Sequence, residues 1–553
     1  MTRSKLALSV AVVAVGGTTI AAGLASTGAN ASSSHGSGNG PTLTNVPTAN
    51  TSSPGYAPAT RLSPELSQVV LAQGSTRMEN TSDLTSYYGY DNDVLTPAGV
   101  PQMLPVMGNL KEATKTEPDK NTYLVFKKSL PGADPNYDYG THFLFQGHEN
   151  GVNHDGYITR INLDADPAHR VTLLATKDVN GNPIKTIDGD TWDPWAQRLL
   201  FTTESTGSPT YAATPGYPSA VTDVSGALGR GGYEGIQDDS AGDLWIVEDI
   251  GGATKTDAAG NSTTAKRPAS FVYRYVPVKP GDLENGKLQA LQVLNAAGAP
   301  ITFASQAALN NPDQVALHSY GHTLRTKWVT IHDTAVNGHT SFDANAAALA
   351  AGATPFKRPE NGVFQPGTGF TTFFFTETGD TNATSPENNT AGGWGGVMKV
   401  TQQSPTADTG TISVFYKADE AHTGLDNCTF LSRNIVSFGE DAGDTLHGQR
   451  GTLDSAFTFD TTVNYADPAN QPVRWVAEGR DASATLDNSF DGFGNNIGDN
   501  EITATLVSDG DPGVGGILGA KAPNLNNPHW RWFYTQQHGD NTSYEVFLAQ
   551  TGS

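Results

Sequence analysis

Six stretches of the chain share one pattern of apolar and polar positions: a short apolar run, then acidic or polar residues, then glycine. They are His142–Gly151 (HFLFQGHENG), Arg198–Gly207 (RLLFTTESTG), Asp243–Gly252 (DLWIVEDIGG), Thr372–Asp380 (TFFFTETGD), Asn434–Gly443 (NIVSFGEDAG) and Arg531–Asp540 (RWFYTQQHGD). Each run is aromatic or β-branched, too short for a helix and closed by a glycine turn, which predicts a buried strand. Five of them place Glu149, Glu204, Glu248, Glu377 or Glu440 near the strand's exit, and the sixth has His538 and Asp540. One strand recurring through a turn-rich chain predicts radial repetition. The expected fold is all-β, a six-bladed β-propeller with inserted loops and one such strand per blade. If equivalent strand ends face the axis, their carboxylates converge on one mouth.

The segments between the repeats fit that scheme. Asp155–Leu163 alternates like a strand buried on one face, and Ser270–Val276 supplies another strand after the third repeat. The acidic turns Asp188–Trp195 (DGDTWDPW) and Tyr233–Gly235 precede the second and third repeats. Asp343–Gly352 is alanine-rich and predicts a short helical insertion, closed by Pro355–Glu360 (PFKRPE). There Pro359 fixes the backbone between Arg358 and Glu360. The Asp-, Asn- and Gly-rich stretch Phe490–Gly519 reads as a loop, with a calcium loop as the alternative, although it lacks the EF-hand order of ligands.

Composition narrows the classes. With 61 glycines and 32 prolines among 553 residues, the chain suits many short strands with tight turns. A net charge of -23 excludes a nucleic-acid binder, because phosphates need a basic surface, and it suits hard cations bound through oxygen. Cys428 is the only cysteine, so intramolecular disulfides and multi-thiolate zinc sites are excluded. Residues 1–31 read as a secretory signal peptide, with Arg3 and Lys5 ahead of an apolar run and Ala29-Asn-Ala31 as the cleavage site. Residues 32–60 read as a disordered Ser/Gly/Pro-rich linker, and 61–553 as the folded domain. The expected product is an extracellular monomer with no membrane contact after cleavage.

Local motifs for serine hydrolases, zinc proteases and Walker-type nucleotide binding are absent from the sequence. What remains is Glu, Asp and Asn at turns, with one arginine in a constrained setting. Oxygen-only ligand sets favour calcium, magnesium or manganese, and an arginine beside them suits a phosphate or carboxylate.

Several motifs occur in an order that resembles the PhoX family of secreted bacterial alkaline phosphatases. These are Tyr233–Ile236, Leu244–Asp249, Phe271–Pro277 with Gly281-Asp-Leu283 and Leu288–Leu291, and Arg358–Glu360. His148-Glu149, Pro194–Glu204, Asp426-Asn427 and Glu440-Asp441 match further family motifs, so the resemblance spans roughly residues 80 to 550. It implies a six-bladed propeller that hydrolyses phosphomonoesters using calcium and a cysteine-ligated iron pair. Carried over position by position, Arg358 resembles the phosphate-binding arginine and Glu360 its neighbouring metal ligand. Glu204, Glu234, Glu440 and Asp441 resemble metal-binding carboxylates, as do Glu149 and the Asp426-Asn427 pair. Glu248 and Asp249 are further candidates.

The chain also departs from the family. Where the family has a cysteine ahead of its Pro-Trp, this sequence has Asp188, Asp190 and Asp193, hard oxygen donors that suit calcium or manganese better than a soft-ligand iron site. The start Thr2-Arg-Ser-Lys5 lacks twin arginines. The expectation is a secreted phosphomonoesterase using calcium without iron on a small phosphorylated substrate. The alternatives are a noncatalytic calcium-stabilised propeller that binds a glycan or protein, and a different propeller hydrolase such as a lactonase.

Overall fold

All six apolar runs form strands, and each is the second strand of its four-stranded unit. The computed structural model describes residues 40–52, 58–103, 113–302, 308–479, 501–538 and 541–549. The expected leader, Asp540 and the stretch 490–500 lie outside the described residues. Three units are separate four-stranded sheets, and a fourth gains Arg61–Leu62 as an edge strand. The remaining two are joined in a nine-stranded sheet, because Leu324–Asp333 pairs with an outer strand of each, Gly286–Leu294 and Thr409–Lys417. The result is an all-β, propeller-like arrangement with few helices.

The first strands of the units surround the centre. Pro118–Val125, Ile187–Asp193, Tyr233–Asp238, Pro359–Phe364, Leu425–Phe430 and Glu501–Ser508 contact one another in that order, and the last returns to the first. Leu66–Ala72 pairs with the last strand, Thr542–Leu548, so one sheet holds segments from near both chain ends. Aromatic side chains fill the space between units. Trp245 packs on Trp328, Phe364 and Phe373 with ring centroids 5.0, 5.2 and 4.9 Å away, edge-on or tilted as aromatic quadrupoles favour.

The alanine-rich insertion is a helix, Ala344–Ala350, capped by Asp343 through the amide of Ala346. The expected linker is ordered in part. Leu43, Val46 and Asn50 are buried, and the Asn50 side-chain amide donates to the carbonyls of Ala477 and Glu478. Two apolar anchors and a buried amide suffice to fix a segment whose composition alone reads as loose. Among the described residues, no helix is long and apolar enough to cross a membrane.

Candidate metal centre

The inner strands look unlike buried strands in sequence because they carry acids into the centre. Pro118 pairs with His148 and Asn121 with Gln146, so two residues on the inner strand, Asp119 and Lys120, oppose the single Gly147 on its partner. The same one-residue bulge follows Ile187, Tyr233, Pro359, Leu425 and Thr503. In five of the six strands the first bulge residue is acidic: Asp119, Asp188, Glu234, Glu360 and Asp426. The sixth has Ala504, and Glu501 enters from slightly upstream. The residue after the acid stands where inner strands approach closely. A Cβ on Gly189 would lie 2.2 Å from the Glu234 carbonyl oxygen, so only glycine fits there.

These acids line one cavity of about 370 Å³ together with Glu117, Glu149, Glu204, Asp249, Arg358, Asp441 and His538. Carboxylate oxygens of Asp119, Glu149 and Asp188 lie within 4.8 Å of one another, and so do those of Glu234, Asp249 and Glu360. The Gln537 amide donates to Glu149 at 2.8 Å, and the Thr378 hydroxyl donates to Glu360 at 2.7 Å. Burial, reinforced by the neighbouring negative charges, pushes the carboxyls of Asp119, Glu149, Glu234, Glu360 and Glu501 well above their ordinary range. Burial likewise pushes Asp188 up to about 7.

Arg358 is the cation at this wall. Its Nε and Nη2 stand 2.7 and 2.6 Å from Asp249 Oδ2, and Nη2 lies 3.5 Å from Glu360 Oε1. Burial works against the charged guanidinium, but Asp249 and Glu360 outweigh it and hold the group firmly protonated. Its backbone is left-handed, with φ 58°. Below the acids, buried Lys120 reaches the side-chain oxygen of Asn361, whose amide donates to Asp426 at 2.8 Å.

Of the residues singled out in the sequence, Glu149, Asp188, Glu204, Glu234, Asp249, Arg358, Glu360, Asp426 and Asp441 line the cavity. Five others lie elsewhere. Asn427 sits beside the wall and donates to Asp426 at 3.1 Å. Asp190 accepts from Thr122, and Asp193 accepts from the amides of Trp195 and Ala196 in a turn. Glu248 accepts from the Phe271 amide, Tyr273 and Asn345, and Glu440 from the Thr423 and Ser455 amides and Arg450. Glu377, another repeat glutamate, accepts from the Lys357 amide at 2.7 Å.

The register explains the division. Glu248, Glu377 and Glu440 pair with Tyr233, Pro359 and Leu425, as His148 pairs with Pro118 and Thr203 with Ile187. Glu149 and Glu204 are therefore one residue further on, in the slot that Asp249 and Asp441 occupy. A one-residue step reverses the face a strand residue presents. Glu117, Asp119, Lys120 and Glu501 were not anticipated. A second repeat carried the signal for Asp119: an acid followed by Lys, Gly or Asn in Pro118-Asp-Lys, Ile187-Asp-Gly, Tyr233-Glu-Gly, Pro359-Glu-Asn and Leu425-Asp-Asn.

The fold and cavity define an all-β, propeller-like protein with a carboxylate-lined site that, among the described residues, one arginine flanks. The family model described as alkaline phosphatase PhoX matches residues 263–441. Over that segment, about a third of its length, the chain is PhoX-like. Among solved structures, Pseudomonas fluorescens PhoX in complex with vanadate, a transition state analogue, is similar at a TM-score of 0.54 and 11% identity, over 91% of this chain and 99% of that one. The periplasmic gluconolactonase PpgL of Pseudomonas aeruginosa gives a TM-score of 0.30 at 12% identity, over 87% and 97% of the two chains. The PQQ domain of pyranose dehydrogenase from Coprinopsis cinerea gives 0.28 at 11%, over 89% and 98%. No curated protein matches the sequence.

Proposed function

We propose that this chain is a secreted, metal-dependent phosphomonoesterase built as a six-bladed propeller, the nine-stranded sheet being two blades joined at their outer edges. The observation that carries the reading is Arg358 beside a basin of carboxylates. An anionic basin alone repels a phosphate ester. A basin loaded with cations and flanked by a guanidinium attracts one.

The donor set suits a hard divalent cation. The two acid groups offer only oxygen, and the raised carboxyls of Glu149 and Glu234 mark negative charge that the described protein cations balance only in part. Calcium is the proposed metal, held by Asp119, Glu149 and Asp188 in one group and by Glu234, Asp249 and Glu360 in the other. Cys428 stands outside the cavity lining, and burial pushes its thiol up to about 12, which disfavours the thiolate an iron ligand needs. Bound calcium would supply the positive charge that phosphoryl oxygens need in the ground and transition states.

The protein's own groups bind and orient the ester. Asp249 engages Nε and Nη2 of Arg358, and the described residues give Nη1 no acceptor, which leaves its N–H groups for phosphoryl oxygens. Thr378 fixes one oxygen of Glu360, and Gln537 fixes one of Glu149, so the basin is ordered before substrate arrives. Calcium-dependent release of orthophosphate from a chromogenic monoester tests the proposal. Phosphate release that survives complete chelation, or none at any calcium concentration, would refute it.

A further inference from the structure

Directly behind Arg358 lies a cluster of four charges, all buried. Lys357 Nζ donates to both carboxylate oxygens of Asp380 and to Glu387 Oε2, each at 2.9 Å. Lys255 Nζ donates to Glu387 at 2.9 and 3.0 Å and to Gln314 at 2.5 Å. The four side chains are 0–1% exposed. Two ammonium groups balance two carboxylates, and neutral donors add to the same oxygens: Ser385 on Asp380 at 2.6 Å and the Asn310 amide on Glu387 at 2.7 Å. Burial works to raise the Glu387 carboxyl, yet Lys357 and Lys255 hold it below its ordinary range.

Replacing such a cluster with apolar groups often costs a fold nothing, so stability is weak justification for keeping it. Its position is more informative. The cluster joins the hairpin of Thr254–Thr256 and Ser262–Lys266, the segment after Thr372–Glu377, and the residue preceding Arg358. Arg358 holds a left-handed backbone, which strains a side chain of its size unless its surroundings impose it. The Gly379 and Thr378 amides donate to the carbonyls of Lys357 and Arg358 at 3.2 and 3.0 Å, and Glu377 accepts from the Lys357 amide. The side chain of Lys357 thus ties down the far side of the same turn.

We propose that Lys357, anchored by Asp380 and by the Glu387 carboxylate that Lys255 also holds, is the positioning residue that holds Arg358 at its phosphate-binding setting. The proposal rests on the phosphatase reading for its ligand, not for its geometry. Inhibition by orthophosphate, measured on the calcium-loaded full chain, reports Arg358. Lys357→Met raises the inhibition constant by roughly 100-fold, the scale of a misplacement of about 1 Å, and Lys357→Arg restores part of it. Combined with Arg358→Lys, Lys357→Met adds nothing further. Amide exchange at Thr378 and Gly379 quickens in Lys357→Met while that of Arg531–Gln537 is unchanged.

An unchanged inhibition constant, or effects of Lys357→Met and Arg358→Lys that multiply, overturns the proposal. If Lys357→Met does not fold, Lys255→Met, which spares both contacts to Asp380, shows the same changes on a smaller scale. A wild type that neither releases phosphate nor is inhibited by it overturns the phosphatase reading alone. Exchange then decides the positioning role: local quickening supports it, and unchanged exchange overturns it.

Discussion

Asp249 Oδ2 stands 2.7 Å from Nε and 2.6 Å from Nη2 of Arg358, so a single carboxylate oxygen fixes the plane of the guanidinium. Arg358→Lys keeps the charge and loses the fork. Turnover of a phosphomonoester should fall by roughly 100- to 1000-fold, the cost of removing one transition-state donor. Calcium content and melting temperature should stay as in the wild type. Unchanged kinetics would show that the arginine serves only the fold.

Neighbouring acids with opposite fates give a second prediction. Asp441 lines the cavity, whereas Glu440 accepts from two backbone amides and from Arg450, with its side chain 2% exposed. Asp441→Asn should weaken calcium binding with little loss of stability in the metal-free protein. Glu440→Gln should leave calcium stoichiometry unchanged and destabilise the fold by about 3–5 kcal/mol, the cost of breaking a buried ion pair. Equilibrium dialysis and denaturant melts separate the two outcomes, and a reversed pattern would refute the register argument.

That pair also shows what the sequence makes legible. Six apolar runs announce six equivalent strands because a buried second strand must be continuously apolar, and all six occupy the same position. Which acid faces the cavity is less visible, since Glu248-Asp249 and Glu440-Asp441 each offer two adjacent candidates and only pairing with the inner strand chooses between them. The inner strands themselves escape periodicity analysis. A strand such as Pro118–Val125 (PDKNTYLV) is buried throughout almost its whole length yet polar in its first half, because it faces a site and not a core.

Lys120 supplies the third prediction. Its ammonium lies beneath the acids and draws down the carboxyls of Asp119, Asp188 and Asp426 against the effect of burial. Lys120→Met removes that fixed positive charge. The metal-free protein should lose stability, and calcium affinity should rise because the cations no longer face an ammonium. Calcium titration followed by melting temperature checks both effects, since a ligand that binds only the folded state raises it with concentration. Weaker calcium binding in Lys120→Met would show that the lysine orders the ligands and does not compete with the metal.

The last prediction concerns Asp238, five residues along its strand from the residue that opens the bulge. The corresponding positions in the other inner strands hold Tyr123, Trp192, Phe364, Phe430 and Ser508. Asp238 is 1% exposed, and neither carboxylate oxygen has a hydrogen-bond partner among the described residues. Burial, then the charges of Asp193 and Asp239, push its carboxyl well above the ordinary range. Nearby Asp243 is pushed up to about 7, by burial first and by Asp239 second. A carboxyl raised in the folded state contributes most below its unfolded value of about 4, and that contribution is lost as pH rises through the folded value. Stability should therefore decline between about pH 4 and 7 from Asp243, and further as Asp238 is forced to ionise. Asp238→Leu removes the unpaired group and returns the slot to apolar character. With calcium held constant, it should stabilise the protein by about 1–3 kcal/mol, more at pH 8 than at pH 5. Denaturant melts at the two pH values give the comparison. A variant less stable than wild type at both would mean that Asp238 has a partner worth more than the burial of its charge costs.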